Sequence, residues 1–360
     1  MIEYRDILKY GPFAVKKEDK EQLLTKKLLA LSKYHYDRCR EYKRIIDSLG
    51  CDLETVESYR DIPFLPVGLF KELDLLSISR QDVFKTLTSS GTSGQAVSKI
   101  FLDKETAGNQ QRTLAKILSD FTGKARMPML IIDSPAVVKD RKMFSARGAG
   151  ILGFSIFGTD RLYALNEDMT INIEEVQKFL EKHEDSPIFV FGFTFMIWQH
   201  FYKELIKQDR KVDLSQGIMV HGGGWKKLSS EAVSSSQFRQ CLFERTEIKR
   251  VHDYYGMAEQ TGSIYMECEY GHLHASTYSD LLIRDPKDFS LCKKGETGIV
   301  QAISMLPESY PGHSILTEDE GVMLGQDDCP CGRMGGYFQI KGRLEHAEIR
   351  GCSDTYAATF

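Results

Sequence analysis

The sequence has 360 residues, of which 42% are hydrophobic, and 47 Lys and Arg face 51 Asp and Glu for a formal net charge of −4. That is ample material for a globular core in one large domain or two, and the basic residues are too evenly spread to favour nucleic acid or an anionic membrane surface. No apolar run approaches membrane-spanning length, the N-terminus carries charges rather than a signal peptide, and eight cysteines do not make a disulfide scaffold in a chain this long, so a cytoplasmic protein is expected.

Residues 19–49 are predicted helical, because Leu23, Leu24, Leu28, Leu31 and Tyr34 recur at helical spacing and Gly50 is a natural stop. Two prolines make Asp61-Ile62-Pro63-Phe64-Leu65-Pro66 a rigid connector. Residues 1–80 read as an N-terminal helical layer.

The run Thr88-Ser89-Ser90-Gly91-Thr92-Ser93-Gly94 then sets hydroxyls and two glycines in a row. Successive N–H groups in such a turn form an anion nest, the hydroxyls add donors, and a triphosphate is the natural guest; the plainer alternative is a Ser/Gly-rich surface turn. Strand-like runs at Val83–Leu87 and Ser98–Leu102 flank it, so the predicted unit is strand–loop–strand. A Walker loop would pass directly into a helix and end in Gly-Lys-Ser/Thr. Lys99 lies five residues past Gly94, where a following strand would let it reach a phosphate. A helix is expected next, capped by Asp103 or Thr106, with Leu114, Ile117, Leu118 and Phe121 as its apolar stripe.

Pro128–Asp133, Ile188–Phe193 and Gly217–Val220 read as buried parallel strands. Gly148-Ala149-Gly150-Ile151-Leu152-Gly153 fits the dinucleotide fingerprint, and Asp168 follows at the right interval, but no strand leads into it, so NAD binding is not expected. The segment reads instead as close packing, and with Phe154, Ile156 and Phe157 as a candidate acyl-pocket lining. Phe195, Trp198 and Phe201 read as core aromatics. His221-Gly222-Gly223-Gly224-Trp225 is no serine-hydrolase site, since a Gly-x-Ser-x-Gly elbow is missing. Its glycines bring backbone close to a planar or acyl ligand, and His221 either orients a carboxylate or is structural. Cys268, His272, His274, Cys329 and Cys331 are residue types that suit Zn²⁺, although the Cys-x-Cys spacing is tighter than in fingers; reduced thiols are the plainer reading.

Taken in order, these motifs resemble those of adenylate-forming enzymes, which join a carboxylic acid to AMP. The resemblance implies that Ser89, Ser90, Gly91, Thr92, Ser93 and Gly94 hold phosphates, with Lys99 assisting, although Val97-Ser98 replaces the family's shorter gap and Pro before the Lys. It implies that Gly222, Gly223 and Gly224 line the acyl–adenylate site. Val251 to Glu259 contains a run similar to the family's Tyr-Gly-x-x-Glu, in which Tyr254, Tyr255 and Gly256 contact adenine and Glu259 serves Mg²⁺; a hard cation needs such an oxygen ligand. Asp319, in Thr317-Glu318-Asp319, occupies the position of an acid that holds the ribose, and Arg343 of Gly342-Arg343 that of an arginine near ribose and phosphate. Phenylacetate-ligase-like members carry a similar cysteine–histidine arrangement, which implies a structural Zn²⁺ on Cys268, His274, Cys329 and Cys331.

The tail Arg350-Gly351-Cys352-Ser353-Asp354-Thr355, together with His-Gly-Gly-Gly-Trp, resembles the acyl-protein synthetases of bacterial bioluminescence, the fatty acid–protein ligases called LuxE. In that group the matching cysteine, here Cys352, takes the acyl group from acyl-AMP as a thioester and passes it to a reductase partner. Without the resemblance Cys352 is an ordinary tail thiol. The expected fold is α/β, a large mixed multilayer core like the N-terminal domain of adenylate-forming enzymes, without their full mobile C-terminal domain. The expected division is a helical layer over 1–80, an adenylate-forming core over 81–341 and a short tail over 342–360. The expected function is activation of a carboxylic acid, most simply a fatty acid, by ATP and Mg²⁺, with transfer to Cys352. Catalysis falls to Cys352, Glu259 and Lys99, and no nucleic acid or membrane partner is expected. A carboxylate–CoA ligase of the phenylacetate–CoA ligase type is the alternative, and an inactive nucleotide-binding subunit is a third reading.

Overall fold

The structure is a computed structural model, and it describes residues 3–89, 97–139 and 146–344. Ser90 to Gly94 and Cys352 lie outside the described residues. Residues 118–256 form one unit together with 266–271, and the rest of the described chain forms the other.

The unit built on 118–256 centres on five parallel strands in the order Gly158–Tyr163, Met127–Ile132, Ile188–Phe193, Gly217–Gly222 and Arg250–Tyr255. The middle strands are continuous apolar runs because helices cover both faces of a parallel sheet. Leu130, Val190 and Met219 stand side by side in register and are fully buried with Trp198 and Phe201, which are core residues as the aromatic pattern predicts. Helix Ser235–Thr246 starts on a capping box, with the Ser234 hydroxyl and the Gln237 side chain each accepting the other's backbone N–H. Gly148, Gly150 and Gly153 fall inside helix Ala146–Phe154, so no strand-to-helix phosphate turn exists there.

The other unit carries antiparallel strands in the order Ser279–Arg284, Thr297–Ser304, Ser314–Gln326, Gly336–Arg343 and Leu273–His274. Leu65–Pro66 adds a short parallel pairing at Ile315 and Leu316. The helical stretch predicted over 19–49 is two helices, Lys17–Arg38 and Arg40–Ser48, broken where Cys39 takes an extended backbone, and Gly50 closes the second in the left-handed region at φ +62°. Leu24, Leu28 and Leu31 are buried as expected, whereas Leu23 and Tyr34 are only half-buried. Lys20, Lys27 and His35 are buried beside them. A buried lysine needs a partner; Lys20 has Asp280 at 3.7 Å, and Lys27 pairs with Glu308.

Strands Lys85–Thr88 and Lys99–Leu102 give the predicted strand–loop–strand, and they pair as an antiparallel hairpin. The Ser89 N–H donates to the Ser98 carbonyl at 3.2 Å and the Ser98 N–H to the Ser89 hydroxyl at 2.9 Å, which ties its base. Helix Lys104–Thr122 follows, with Asp103 as the cap, since its carboxylate accepts the Thr106 N–H at 2.7 Å. Leu114, Ile117, Leu118 and Phe121 are its buried stripe. No helix among the described residues is long and apolar enough to cross a membrane.

Candidate active site and metal centre

The residues expected at the nucleotide and the acyl group fall into two sets, one in each unit, and the cysteine–histidine residues are a third set. In the antiparallel unit, Glu259 sits in the short turn Ala258–Gln260 and is only 5% exposed. The turn is fixed from several sides: the Tyr310 hydroxyl donates to the Glu259 carbonyl at 2.7 Å, and the Gln260 amide donates to the carbonyls of Ala302 and Gly312 at 3.0 and 2.9 Å. A Cβ on Gly312 would collide with the Tyr310 ring, so that position must be glycine for the turn to close. Burial pushes the Glu259 carboxyl above the ordinary glutamate range.

Ser98 precedes Lys99, which opens the second hairpin strand directly across from Thr88 and is half-exposed. Asp74 holds the base of this group: it accepts from Arg80 at 2.7 Å and lies 3.8 Å from the Lys99 ammonium. Arg80 and then Lys99 hold the Asp74 carboxyl below its ordinary value. Asp319 and Arg343 are paired across adjacent strands, with Arg343 Nε 4.0 Å from Asp319 and its outer nitrogen 3.4 Å from Glu318. Glu318, which replaces a glycine in the family's motif, lies where the strand bulges: Leu316 pairs with Gln301 but Glu320 with Ile299, so 317–319 stand opposite Val300 alone, and the pairing to the other neighbour shifts between Glu320 and Gly321.

In the parallel unit the second set stands at the carboxyl end of the strands, where open α/β sheets bind their ligands. Gly223 and Gly224 have left-handed backbones at φ +79° and +63°. A Cβ on Gly222 would lie 2.6 Å from the Tyr254 ring, and one on Gly223 2.6 Å from the Phe193 ring. These glycines therefore admit the protein's own aromatic rings, a use the sequence reading did not foresee; around Gly224 the space is open. Tyr254 and Tyr255 are half-buried and Gly256 is exposed. The expected lining residue Phe154 is buried and stacks on Phe191 at 4.3 Å, while Ile156 is exposed.

His221 is buried, with Nδ1 3.0 Å from the Thr194 hydroxyl and 3.5 Å from an Asp253 oxygen. Thr194 gives its own proton to the Gly222 carbonyl, so His221 is the donor from Nδ1 and Nε2 is bare. Burial, helped by His252 and Arg239, lowers the His221 pKa to about 3 and keeps the ring neutral.

Cys268, His274, Cys329 and Cys331 converge as expected from the sequence, with their ligand atoms all within 4.8 Å of one another. The first three are buried and Cys331 is half-buried. His274 Nε2 lies 3.3 Å from the Cys331 sulfur, and His272 Nδ1 3.3 Å from the Cys329 sulfur. Tetrahedral Zn²⁺ with Zn–S of about 2.3 Å spaces its sulfurs about 3.8 Å apart, so three thiols and an imidazole at this separation fit that ion. His272 contacts the cluster without belonging to the fourfold set.

Residues 3–360 match the family described as acyl-protein synthetase, LuxE. The chain belongs to this family. Among curated proteins it is similar to a long-chain-fatty-acid–luciferin-component ligase of Aliivibrio fischeri, 22% identical over 351 residues covering 93% of this chain and 88% of the relative. The protein of the same name from Vibrio harveyi is 22% identical over 354 residues, covering 95% and 89%. Among solved structures, 2-hydroxyisobutyryl-CoA ligase in its postadenylation state with 2-HIB-AMP superposes with a TM-score of 0.68 at 15% identity, over 92% of this chain and 69% of that one. The fold is thus the mixed α/β core of an acyl-CoA-ligase-like enzyme, as the motifs imply.

Within this acyl-protein synthetase fold, sequence reasoning missed Asp74 and Thr194. Each holds an expected residue, and only their nearness to Lys99 and His221 in space reveals them.

Proposed function

We propose that this chain activates a fatty acid with ATP and then carries the acyl group as a thioester. The observation that supports this best is that Glu259, Lys99, Asp319 and Arg343, expected from separate motifs, all belong to one unit of a chain matched from end to end by the acyl-protein synthetase family. The relatives named for long-chain fatty acids point to that substrate class. Residues 81–341 are the adenylate-forming core in this reading, between the layer 1–80 and the tail 342–360.

In the first step a carboxylate oxygen attacks the α-phosphorus of ATP. The bond to the bridging oxygen of the β-phosphate breaks, and pyrophosphate departs with the electron pair, leaving acyl-AMP. Positioning and electrostatics carry most of such a step. Asp319 accepts the ribose hydroxyls, with Arg343 beside it for ribose and phosphate. Lys99 and the loop from Ser89 to Gly94 take the phosphates. Glu259 would hold Mg²⁺, whose charge would offset that of the phosphates. A buried carboxyl with a raised pKa suits that role, because a cation returns it to the ionised form. Gly222 to Gly224 face the acyl–adenylate, and Tyr254, Tyr255 and Gly256 the adenine.

In the second step the Cys352 thiolate attacks the acyl carbon of acyl-AMP. The bond from that carbon to the phosphate oxygen breaks, and AMP leaves with the electron pair. The thioester is then delivered to a reductase partner. Cys268, His274, Cys329 and Cys331 would hold Zn²⁺ as a structural ion that fastens their turns, outside the reaction.

The test is intact mass spectrometry after incubation with Mg-ATP and a panel of fatty acids. An acyl-sized gain, removed by neutral hydroxylamine and absent in Cys352→Ala, is the expected result. Pyrophosphate release that accelerates with CoA, without covalent gain, would instead make the chain a carboxylate–CoA ligase. No ATP–pyrophosphate exchange with any acid would leave a nucleotide-binding subunit.

A further inference from the structure

Helix Lys17–Arg38 has no cap of its own, since the Lys16 side chain at its start offers none. The cap comes from Asp327, whose carboxylate accepts the Lys17 N–H at 2.8 Å. The other oxygen of the same carboxylate accepts the Gly335 N–H at 2.6 Å. Asp327 and Gly335 are the two ends of the turn that contains Cys329 and Cys331. Asp327 takes a left-handed backbone at φ +61° to do this, a region most non-glycine residues avoid.

The segment before the helix is held by the same neighbourhood. The Met334 N–H donates to the Phe13 carbonyl at 3.1 Å, and the Phe13 ring meets His274 edge-on at 6.1 Å while the Arg333 guanidinium lies over it at 5.8 Å. Just past His274, Thr277 donates its N–H to the Pro12 carbonyl at 2.6 Å and its hydroxyl to the Gly11 carbonyl at 2.7 Å. The Tyr278 hydroxyl donates to the Tyr10 carbonyl at 2.7 Å. Each of these holding residues lies within four positions of His274, Cys329 or Cys331.

We infer that metal binding at the cysteine–histidine cluster and docking of the strap Tyr10–Lys17 are one coupled equilibrium, with the metal as the clasp. This rests on the reading of the cluster as a metal centre. The turn 327–335 is irregular backbone, and ligation of two of its residues is what fixes the Asp327 acceptor and the Met334 donor that the strap uses. The docked strap in turn fixes Asp327, and through it the ligand turn. Such coupling is reciprocal: the factor by which the metal favours docking equals the factor by which docking favours the metal, commonly about 5- to 150-fold.

The experiment uses the full-length protein reconstituted with Zn²⁺. Elemental analysis comes first, and failure to retain zinc would overturn the metal centre itself, and the clasp with it. Zinc is then stripped with pyridylazoresorcinol under reducing conditions, and trypsin is applied with mass-spectrometric readout. Lys16 and Lys17 are exposed and offer cleavage sites at the end of the strap. Cleavage there is expected to accelerate at least about 10-fold on stripping and to return to its starting rate when Zn²⁺ is restored, while cleavage at exposed Lys211 in the other unit stays constant. Zinc loss with unchanged strap cleavage, or with equal acceleration everywhere, overturns the coupling. Asp327→Asn tests it from the other side, because Asn tolerates the left-handed backbone but loses the charge. It should weaken zinc binding by the same factor as it speeds strap cleavage, and unchanged zinc affinity would refute the inference.

Discussion

The two units lean on different kinds of burial, although the parallel unit also buries His221 and Asp133. The parallel unit fills its interior with apolar side chains and uses glycines to let Tyr254 and Phe193 press against backbone. The antiparallel unit buries charge and imidazole: Lys20 against Asp280, Lys27 against Glu308, and His35 stacked on His313 at 5.1 Å. In the first, tolerance is set by volume; in the second, by whether every polar group keeps its partner. Glu259 belongs to the second kind, a carboxyl carried into the interior.

Substitutions should separate the two modes. The largest effect is expected for Asp280→Ala, which strands the buried Lys20 ammonium and takes the acceptor from the Tyr59 hydroxyl at 2.8 Å. Breaking a buried pair costs about 3–5 kcal/mol, to be read as a loss of denaturation midpoint; a loss under 1 kcal/mol would mean the unit does not depend on its charges. Glu259→Gln keeps the volume and removes the charge. Pyrophosphate release should fall on the order of 100-fold or more with little change in stability, and unchanged adenylation would refute its metal role.

Gly222→Ala tests the volume-limited unit, since the new Cβ meets the Tyr254 ring at 2.6 Å. Overpacking costs about 1–3 kcal/mol. Both tryptophans, Trp198 and Trp225, lie in this unit, so tryptophan fluorescence should report the loss directly. Acid probes the buried imidazoles. Burial holds His221 and His313 down to about 3, and His35 well below the ordinary 6.5. The unfolded chain therefore takes up these protons first. Stability is full above about pH 6.5 and is lost as pH falls towards 3, by about 1.4 kcal/mol per pH unit for each group. Urea midpoints between pH 7.5 and 5.5 should fall, and His313→Asn should flatten the slope; an unchanged slope would mean the imidazoles are already hydrated in the fold.

The legibility of the sequence follows the same division. The three apolar strands, the hairpin, the Asp103 cap and the cysteine–histidine set were readable because periodicity, capping chemistry and soft ligands leave local marks. Lys20, Lys27, His35 and His313 leave none: a buried lysine looks like a solvated one until Asp280 or Glu308 arrives from some 250 residues away or more. The break at Cys39 has no proline or glycine to announce it, and nothing in the structure explains it. Glycines at Gly222 and Gly223 were visible, yet whether they admit a ligand or the chain's own rings depends on Tyr254 and Phe193. Residues Ser90 to Gly94 and Cys352, central to the motif argument, lie outside the described residues.

The cap that Asp327 supplies to Lys17 spans 310 residues of chain. A ribosome adding about 5–20 residues per second needs roughly 15–60 s to cover that distance. The first long helix therefore emerges early with its leading N–H groups bare and Lys20 and Lys27 without their carboxylates, which are translated near the end. Nascent chains halted before residue 327 should present this helix as an open, protease-sensitive segment, the kind a chaperone holds until synthesis is done.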